Sequence, residues 1–432
     1  MGHGLLLAIC LCGPIGCLLL ACSTAEQPPP PDMQQRTQTQ VRDGVSVTVG
    51  VPTAAEAAST YGADLADKQM QPVWVEVRNS TSATYWLLSS GLDPNSFSSS
   101  EAAYAFRGTA GGGTLRQQFD RLQFRNPVAP GAVASGYVLT NLDEGAKAVQ
   151  VDMVARGDAK SFTFLVFDPT FEGVSRKIDF DRLYRDDELI RANSDDELRA
   201  LLEQLPCCTT NRTGSENGDP LNLVLVGSAF DIASAAIRRQ WHATEVLSSE
   251  SLWRTVMSFF EGTRYRYSPI SPLYVYGRPQ DAAIQKVRGS IDERNHARFW
   301  LTPIRFRGEQ VWIGQISRDI GVKFTLKSPT ISTHVIDPDV DETRRYLAED
   351  LAYSQSLYRI GYVKGVGLVP RDSPRMNLVG DPWYSDGLRA VMFLGPRPHA
   401  LSELGILDWE KPGRFRSPGK GVAAEERRDG AP

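Results

Sequence analysis

The chain has 432 residues, which is too long for one ordinary domain and favours about two or three domains. Hydrophobic residues make up 41% and charged residues 23%, as in globular proteins, and the mean hydropathy of −0.27 excludes a protein built mainly of membrane-spanning helices. The formal net charge of −4 argues against a large basic surface, so we expect no nucleic-acid partner.

The start of the chain has the composition of a targeting segment. Residues 4–21 are almost entirely apolar, and the Leu-Leu-Ala-Cys sequence that ends at Cys22 resembles the lipobox of bacterial lipoproteins. This pattern predicts a signal peptide over residues 1–21, lipid attachment at Cys22 and a flexible linker over residues 22–40. Because no Lys or Arg precedes the apolar run, an uncleaved membrane anchor stays open as the alternative.

With either alternative the expected partner of this segment is a membrane. Ser23, directly after the cysteine, resembles the residue found in lipoproteins that are sorted to the outer membrane. We therefore expect a protein of the bacterial cell envelope, lipid-anchored at the outer membrane and facing the periplasm. The four prolines at residues 28–31 favour a stiff spacer between the lipid and the folded chain.

Cysteine usage does not indicate a disulfide framework, because four of the six cysteines lie in the targeting segment. The other two, Cys207 and Cys208, are adjacent. Such a pair is either two loop thiols or one vicinal disulfide, and a redox switch or metal site is less favoured.

Residues 41–178 alternate apolar and polar side chains over short runs that are broken by Gly, Pro, Asn and Asp. Period-two alternation is typical of half-buried antiparallel strands. The pattern predicts an all-β sandwich, immunoglobulin-like as one form. Residues 179–218 follow as a predicted helical connector, in which Ser194 and Glu197 have the spacing of a capping box.

Residues 219–395 combine strand and helix patterns and predict an α+β domain. A short apolar run ends at Gly227, and Ser228 with Asp231 indicates the start of a helix. The proposed fold is thus a two-domain protein with an N-terminal sandwich and a C-terminal α+β domain. Residues 396–432 mix Gly, Pro and charge and are expected to form a loop and a disordered tail.

Several motifs of this second domain occur in a recognisable order. They are D-P-L-N-L-V-L-V-G, then S-P-L-Y with a following G-R-P-Q-D, then R-N-H-A-R-F-W, V-W-I-G and T-H-V-I-D-P-D-V-D. In these motifs, residues 219–394 or thereabouts resemble the LssY C-terminal domain family. That family occurs alone and attached to bacterial membrane proteins. The resemblance implies an envelope context and defines no reaction or cofactor.

The same stretch holds the candidate catalytic residues. His296, His334 and Asp337 are possible acid/base groups, because a histidine with nearby carboxylates can move protons at neutral pH. In a strand, His296, Arg298 and Trp300 share one face, and a histidine beside fixed cations suits an anionic or lipid ligand. The alternative is a rim histidine with solvated arginines.

Further candidate ligand-binding residues are Arg278, Asp281, Lys286 and Asp339, together with Arg298. For Arg278 and Asp281 an ion pair that braces a loop is equally favoured. Asp339 also has the spacing of a helix N-cap with Glu342. No metal site is predicted, and the sequence names no cofactor.

Two functions of different class therefore stay open. The first is a membrane-tethered ligand-binding or assembly module. The second is a hydrolase of a phosphorylated or lipid substrate that uses the His, Asp and Arg side chains of the C-terminal domain. Convergence of His296, His334 and Asp337 within about 4–6 Å would favour the enzyme.

Overall fold

The protein is described by a computed structural model over residues 29–93, 95–108, 112–143, 146–167, 180, 182–243, 272–287, 294–324 and 332–413. The predicted signal peptide, Cys22 and the end of the predicted tail lie outside these residues. The chain divides into two compact units: one comprises Met1–Leu87, Asn95–Leu142 and Val154–Arg156, and the other comprises Leu88–Pro94, Asp143–Met153 and Gly157–Pro432. Within the described residues, no helix is long and apolar enough to span a membrane.

The strands, in chain order, are β1 (Gln38–Arg42), β2 (Val45–Gly50), β3 (Met70–Asn79), β4 (Trp86–Leu87), β5 (Val133–Asn141), β6 (Ala146–Ala155), β7 (Asp158–Phe167), β8 (Ile190–Ala192), β9 (Cys208–Thr210), β10 (Asn217–Pro220), β11 (Leu223–Val226), β12 (His242–Ala243), β13 (Tyr274–Val275), β14 (Arg278–Pro279), β15 (Ala282–Val287), β16 (Arg294–Phe306), β17 (Glu309–Phe324), β18 (Ser332–Ile336), β19 (Leu357–Lys364), β20 (Arg375–Met376), β21 (Pro382–Trp383), β22 (Leu388–Leu394) and β23 (Gly405–Ile406).

The α-helices are α1 (Pro31–Gln34), α2 (Ala54–Tyr61), α3 (Ser89–Leu92), α4 (Ser99–Ala105), α5 (Gly112–Leu122), α6 (Asp195–Glu203), α7 (Ala229–Arg238) and α8 (Val340–Tyr353), with short 3-10 turns at Ala66–Lys68 and Leu401–Glu403.

The first unit is built on an antiparallel sheet in the order β1-β2-β3-β5. Trp74 and Tyr137 lie opposite each other on β3 and β5 and are buried with side chains of α2, α4 and α5. The prediction of an all-β unit is therefore corrected, since these helices cover one face of the sheet. The immunoglobulin-like arrangement stays a prediction.

Local signals explain the helices of the first unit. Thr53 with Glu56 and Ser98 with Glu101 form complete capping boxes at the starts of α2 and α4. Each box supplies two backbone N–H groups of the first turn with partners. The β-rich alternation of the flanking chain outweighed these shorter signals in the sequence-based prediction.

The second unit is built on one large sheet in the order β12-β15-β16-β17-β11-β22-β19-β23, with β18 paired to β17 and β8 paired to β16. Neighbouring strands run antiparallel except β11 with β22, β19 with β23 and β16 with β8. The α+β prediction for this part of the chain is thereby confirmed.

The predicted connector over residues 179–218 does not stand apart from this sheet. Its strand β8 pairs with β16, and its helix α6 buries Leu198 and Leu202 against the sheet. Strand β7 and most of β6 also belong to the second unit. The predicted boundary at residue 178 lies after both strands and would place them in the first unit. The predicted domain boundaries stay a prediction.

Both faces of the sheet carry a hydrophobic core. On one face, α7 and α8 bury small and branched side chains such as Ala235 and Leu347 against Leu223 and Trp312 of the strands. On the other face, α6 packs on Val224, Val391 and neighbouring residues. Helix α6 covers only part of that second face. The rest of the face lies on β15, β16 and β17 and is buried by other parts of the chain.

Arg389 of β22 ties these elements together. Its guanidinium is fully buried and lies within 3.0 Å of five backbone carbonyl oxygens, those of Leu202, Leu205, Pro206, Leu221 and Gly365. Burial lowers the pKa of Arg389 to about 10, which leaves it protonated at neutral pH. One cation thus supplies donors to five backbone carbonyls from separate segments of the chain.

We expect the substitution Arg389→Met to lower the free energy of unfolding by about 3–5 kcal/mol, because it leaves these carbonyls without their donor. Chemical denaturation of the full chain in detergent measures the change. Arg345→Met serves as the control, since Arg345 is exposed and pairs with Glu342 and Glu349 of its own helix. Equal stability of the two variants would contradict this role for Arg389.

Candidate functional site

A buried polar face extends over β15, β16 and β17. Gln285 lies opposite His296, which in turn lies opposite Ser317, and Arg298 lies opposite Gln315. Antiparallel partners project to the same side of a sheet, so these side chains share one face. All of them are at most 7% exposed, although alternating polar residues usually face solvent. The predicted strand through His296, Arg298 and Trp300 is confirmed.

Ser317, His296 and Asp319 are arranged in series on this face. The Ser317 hydroxyl lies 2.9 Å from His296 Nε2. His296 Nδ1 lies 3.4 Å from Asp319 Oδ1. A carboxylate only accepts hydrogen bonds, so Asp319 favours the His296 tautomer that carries its proton on Nδ1. The lone pair of Nε2 then faces the serine hydroxyl.

Gln315 and Arg298 support this series from one side. Gln315 Nε2 donates to Ser317 Oγ at 3.0 Å, and Arg298 Nη1 donates to Gln315 Oε1 at 3.1 Å. With Gln315 as donor, the serine hydroxyl is left to donate its own proton toward His296. The chain of donors fixes the direction of each hydrogen bond.

Arg294 supports the series from the other side. Its guanidinium contacts Asp319 Oδ2 at 3.3 Å and Gln285 Oε1 at 3.2 Å. The cation holds the carboxylate in place beside the imidazole. Arg294 and Arg298 therefore lie at alternate positions to either side of His296 along β16.

Asp219, at the end of β10, contributes a second buried carboxylate to the surroundings. Its pKa is raised by burial, and the nearby charges of Arg298 and His296 and a hydrogen bond from Asn377 oppose that rise. Burial lowers the pKa of Arg298 to about 10, and Asp219 and Asp319 oppose that fall. The guanidinium of Arg298 is thus protonated at neutral pH within the buried face.

The other predicted catalytic residues lie on β18 and directly after it. The backbone of His334 lies on β18 opposite Val322, five residues along β17 from Ser317, which corresponds to roughly 16 Å. Asp337 accepts a hydrogen bond from the Asp339 N–H, and Asp339 in turn caps α8 by accepting from the Glu342 N–H. Asp337 and Asp339 thus order the start of a helix.

Arg278 and Asp281 form a doubly hydrogen-bonded ion pair at 2.8 and 2.9 Å. Arg278 also donates to the Leu301 carbonyl, and Asp281 accepts from the Leu301 N–H, so the pair braces the edge of β16. Lys286 pairs with Asp350 of α8 at 2.9 Å. These contacts give Arg278, Asp281 and Lys286, three of the predicted ligand-binding residues, a partner within the fold.

Ser317 and Asp319 were not among the sequence-based candidates. The signal that identifies them is the alternation of Gln315, Ser317 and Asp319, which matches that of Arg294, His296 and Arg298 on the preceding strand. A one-residue change in register would have placed them on the opposite face.

A second buried ionic cluster stabilises the start of α8. Arg344 contacts Asp341 at 3.2 Å and both oxygens of Asp386, and Asp341 accepts from Ser385 Oγ and from the Asp386 N–H. Burial raises the pKa of Asp341 to about 6, and Asp386 adds to the rise while Arg344 opposes it.

Cys207 and Cys208 are joined by a disulfide, which settles the two alternatives for this pair. Cys208 is buried among Val340, Trp383 and Tyr384 near the start of α8. Within the described part of the chain, no group of three or more His, Cys, Asp and Glu side chains could hold a metal ion.

Residues 200–388 match a family model described as LssY C-terminus, which confirms the predicted resemblance for this part of the chain. The matched range includes Ser317, His296 and Asp319 as well as the vicinal disulfide. No curated protein matches the chain.

We expect the stability of the protein to depend on the protonation of Asp341. Since the folded pKa lies above the value of 3.8 for a free carboxyl, its stabilising contribution is fully present below about pH 4 and is lost as the pH rises through 6. Asp341→Asn should therefore gain up to about 3 kcal/mol relative to the wild type between pH 4 and pH 7.5. Urea denaturation at both pH values measures the gain, and a pH-independent difference would rule it out.

Proposed function

We propose that the protein is a membrane-tethered envelope protein whose second unit binds an anionic ligand on the polar face of its sheet. The observation that carries this proposal is the position of Arg294, His296 and Arg298 at alternate residues of β16, all buried on one side. Two guanidinium groups and an imidazole in one buried face favour an oxyanion, because charge-assisted hydrogen bonds are strongest where water is excluded.

The electrostatics of Arg298 support an anionic ligand. Burial costs this cation free energy and lowers its pKa to about 10. A bound phosphate or carboxylate would offset part of that cost. The neighbouring donors, Gln315 and Ser317, can reorient toward such a ligand.

The envelope setting of the proposal rests on the N-terminal sequence and on the LssY C-terminus match. The lipobox ending at Cys22 supports lipid attachment, and the four prolines at residues 28–31 support a spacer before β1. The first unit, with its helix-covered sheet, then stands between the anchor and the ligand-binding unit in the sequence.

An enzyme is the second candidate function. The observation in its favour is the series of Ser317, His296 and Asp319, which differs from the set of His296, His334 and Asp337 expected from the sequence.

Inorganic phosphate and glycerol phosphate should bind the detergent-purified full chain saturably, and glycerol should not. Arg298→Gln should weaken phosphate binding roughly tenfold, because it removes a charge-assisted hydrogen bond. Isothermal titration measures both, with Arg345→Gln as the matched control at an exposed arginine.

If Arg298→Gln fails to fold, Arg298→Lys keeps the charge and should bind with intermediate affinity. Absence of saturable phosphate binding to the folded wild type at millimolar concentration would overturn the proposed ligand class.

Cys22→Ser should abolish metabolic labelling with palmitate and move the protein from the membrane fraction to the soluble fraction. The substitution removes the thiol that takes the lipid. Cys17→Ser in the same segment serves as the control and should leave both unchanged. Retention of the Cys22→Ser protein in the membrane would instead favour an uncleaved anchor.

A further inference from the structure

We propose that Ser317 is a nucleophile, and that the second unit hydrolyses a carboxylic ester carried by an anionic molecule. His296 is the general base and Asp319 positions it. The substrate class rests on the anion site proposed above, whereas the nucleophile rests on the Ser317, His296 and Asp319 geometry alone. The two parts can therefore fail separately.

The distances meet the first requirement of this chemistry, which is a hydroxyl within hydrogen-bond reach of a base. Ser317 Oγ lies 2.9 Å from His296 Nε2. The base must also be oriented by a third group, and Asp319 Oδ1 lies 3.4 Å from His296 Nδ1. The approach of Asp319 Oδ1 to His296 Nδ1 lacks hydrogen-bond geometry, and the proposal requires it to tighten when substrate binds.

The contacts around the series set its protonation states. Arg294 holds Asp319 Oδ2 at 3.3 Å and favours its charged form. Charged Asp319 favours the proton on His296 Nδ1, and Nε2 is then the acceptor that faces Ser317. Gln315 Nε2 donates a hydrogen bond to Ser317 Oγ at 3.0 Å. The hydroxyl proton of Ser317 is then directed at the imidazole of His296.

The position of these groups on the sheet makes the arrangement rigid. His296 and Ser317 are directly opposed residues of β16 and β17, and Asp319 follows two residues later on the same face. A buried serine that only satisfies a histidine needs neither the carboxylate nor the two flanking arginines. Their presence distinguishes this series from a simple buried hydrogen bond.

The reaction balances without an added oxidant or reductant. As Ser317 Oγ bonds to the ester carbonyl carbon, its proton moves to His296 Nε2. The ester C–O bond then breaks, and the leaving alkoxide takes that proton and departs as the alcohol. Water next adds to the acyl carbon while one of its protons moves to His296 Nε2. The bond between Ser317 Oγ and the acyl carbon then breaks, Oγ takes the proton from His296, and the carboxylic acid is released.

The buried charge of Arg298 is the reason for proposing an anionic substrate. Arg298 is linked to Ser317 through the side chain of Gln315, which an anionic group would have to displace to bridge Arg298 and the hydroxyl. Ser317 is 2% exposed, and substrate reaches it only after a local opening. A small reagent is therefore the first probe for the nucleophile.

Diisopropyl fluorophosphate, which reacts with activated serines, tests the proposal on the full chain in detergent. Peptide mass spectrometry should locate the phosphorylated residue at Ser317. The label should be absent in Ser317→Ala and formed about 100-fold more slowly in His296→Gln. Ser234→Ala is the matched control, because Ser234 is also buried and donates to the Phe230 carbonyl of its own helix.

Asp319→Asn distinguishes positioning from a structural role. It should slow labelling by at least tenfold and shift the midpoint of its pH profile to lower pH, since the carboxylate stabilises the protonated imidazole. A merely structural carboxylate would leave the pH midpoint of the folded variant unchanged.

The outcomes separate the two proposals. Labelling at Ser317 without phosphate binding retains the nucleophile and removes the anionic substrate class. Phosphate binding with no label on Ser317 of the folded wild type, at millimolar reagent for several hours, overturns the nucleophile and leaves the binding function. Because the label is mapped on the wild type, this result does not depend on whether any variant folds.

Discussion

The guanidinium of Arg389 connects the segments that determine where the polar face forms. Its carbonyl partners come from the end of α6, from Pro206 before the vicinal cysteines, from Leu221 before β11 and from Gly365 after β19. Gly365 has a φ of +151°, and a Cβ there would collide with the guanidinium. Because β11 lies between β22 and β17, a fixed start of β11 also fixes β17, which carries Ser317.

The two faces of β16 and β17 bury different kinds of side chain. On one face Phe299, Trp312 and Ile316 fill the core under α7 and α8, which is favourable for any sheet that helices cover. On the other face Ile313 continues the apolar core, and the next same-side positions change to Gln315 and Ser317. Burying polar side chains is unfavourable unless each finds a partner. Ser317, Gln315 and His296 Nε2 meet that requirement through their hydrogen bonds, whereas His296 Nδ1 has only the 3.4 Å approach of Asp319. The hydrogen bonds favour one register of the two strands.

Sequence patterns predicted the local features well and the long-range ones poorly. The caps at Ser194, Ser228 and Asp339 were predicted because each lies within three residues of its partner. The strand through His296 was predicted because alternation is local too. The pairing of His296 with Ser317 depends on the register between strands, which one sequence does not reveal. The helices α2, α4 and α5 were missed because short helices among strands give weak periodicity.

The same argument explains why Ser317 and Asp319, rather than His334, lie beside His296. His334 and Asp337 are close to each other along the chain, but β18 pairs with the distal part of β17, so His334 lies far from His296. Asp337 instead serves the first turn of α8, where a carboxylate has a local use. Proximity in sequence favours such capping roles, whereas a site needs residues that only the sheet brings together.

The chain beside the polar face is held at its two ends. Arg389 binds the carbonyls of Pro206 and Leu221, which flank β9 and β10. Between them lies Asp219, whose charge acts on Arg298 and His296 and whose carboxylate is held by Asn377. The buried contacts at Pro206 and Leu221 therefore fix the segment that places Asp219 beside the polar face, so the same arginine that fixes β11 also determines which carboxylate borders Arg298.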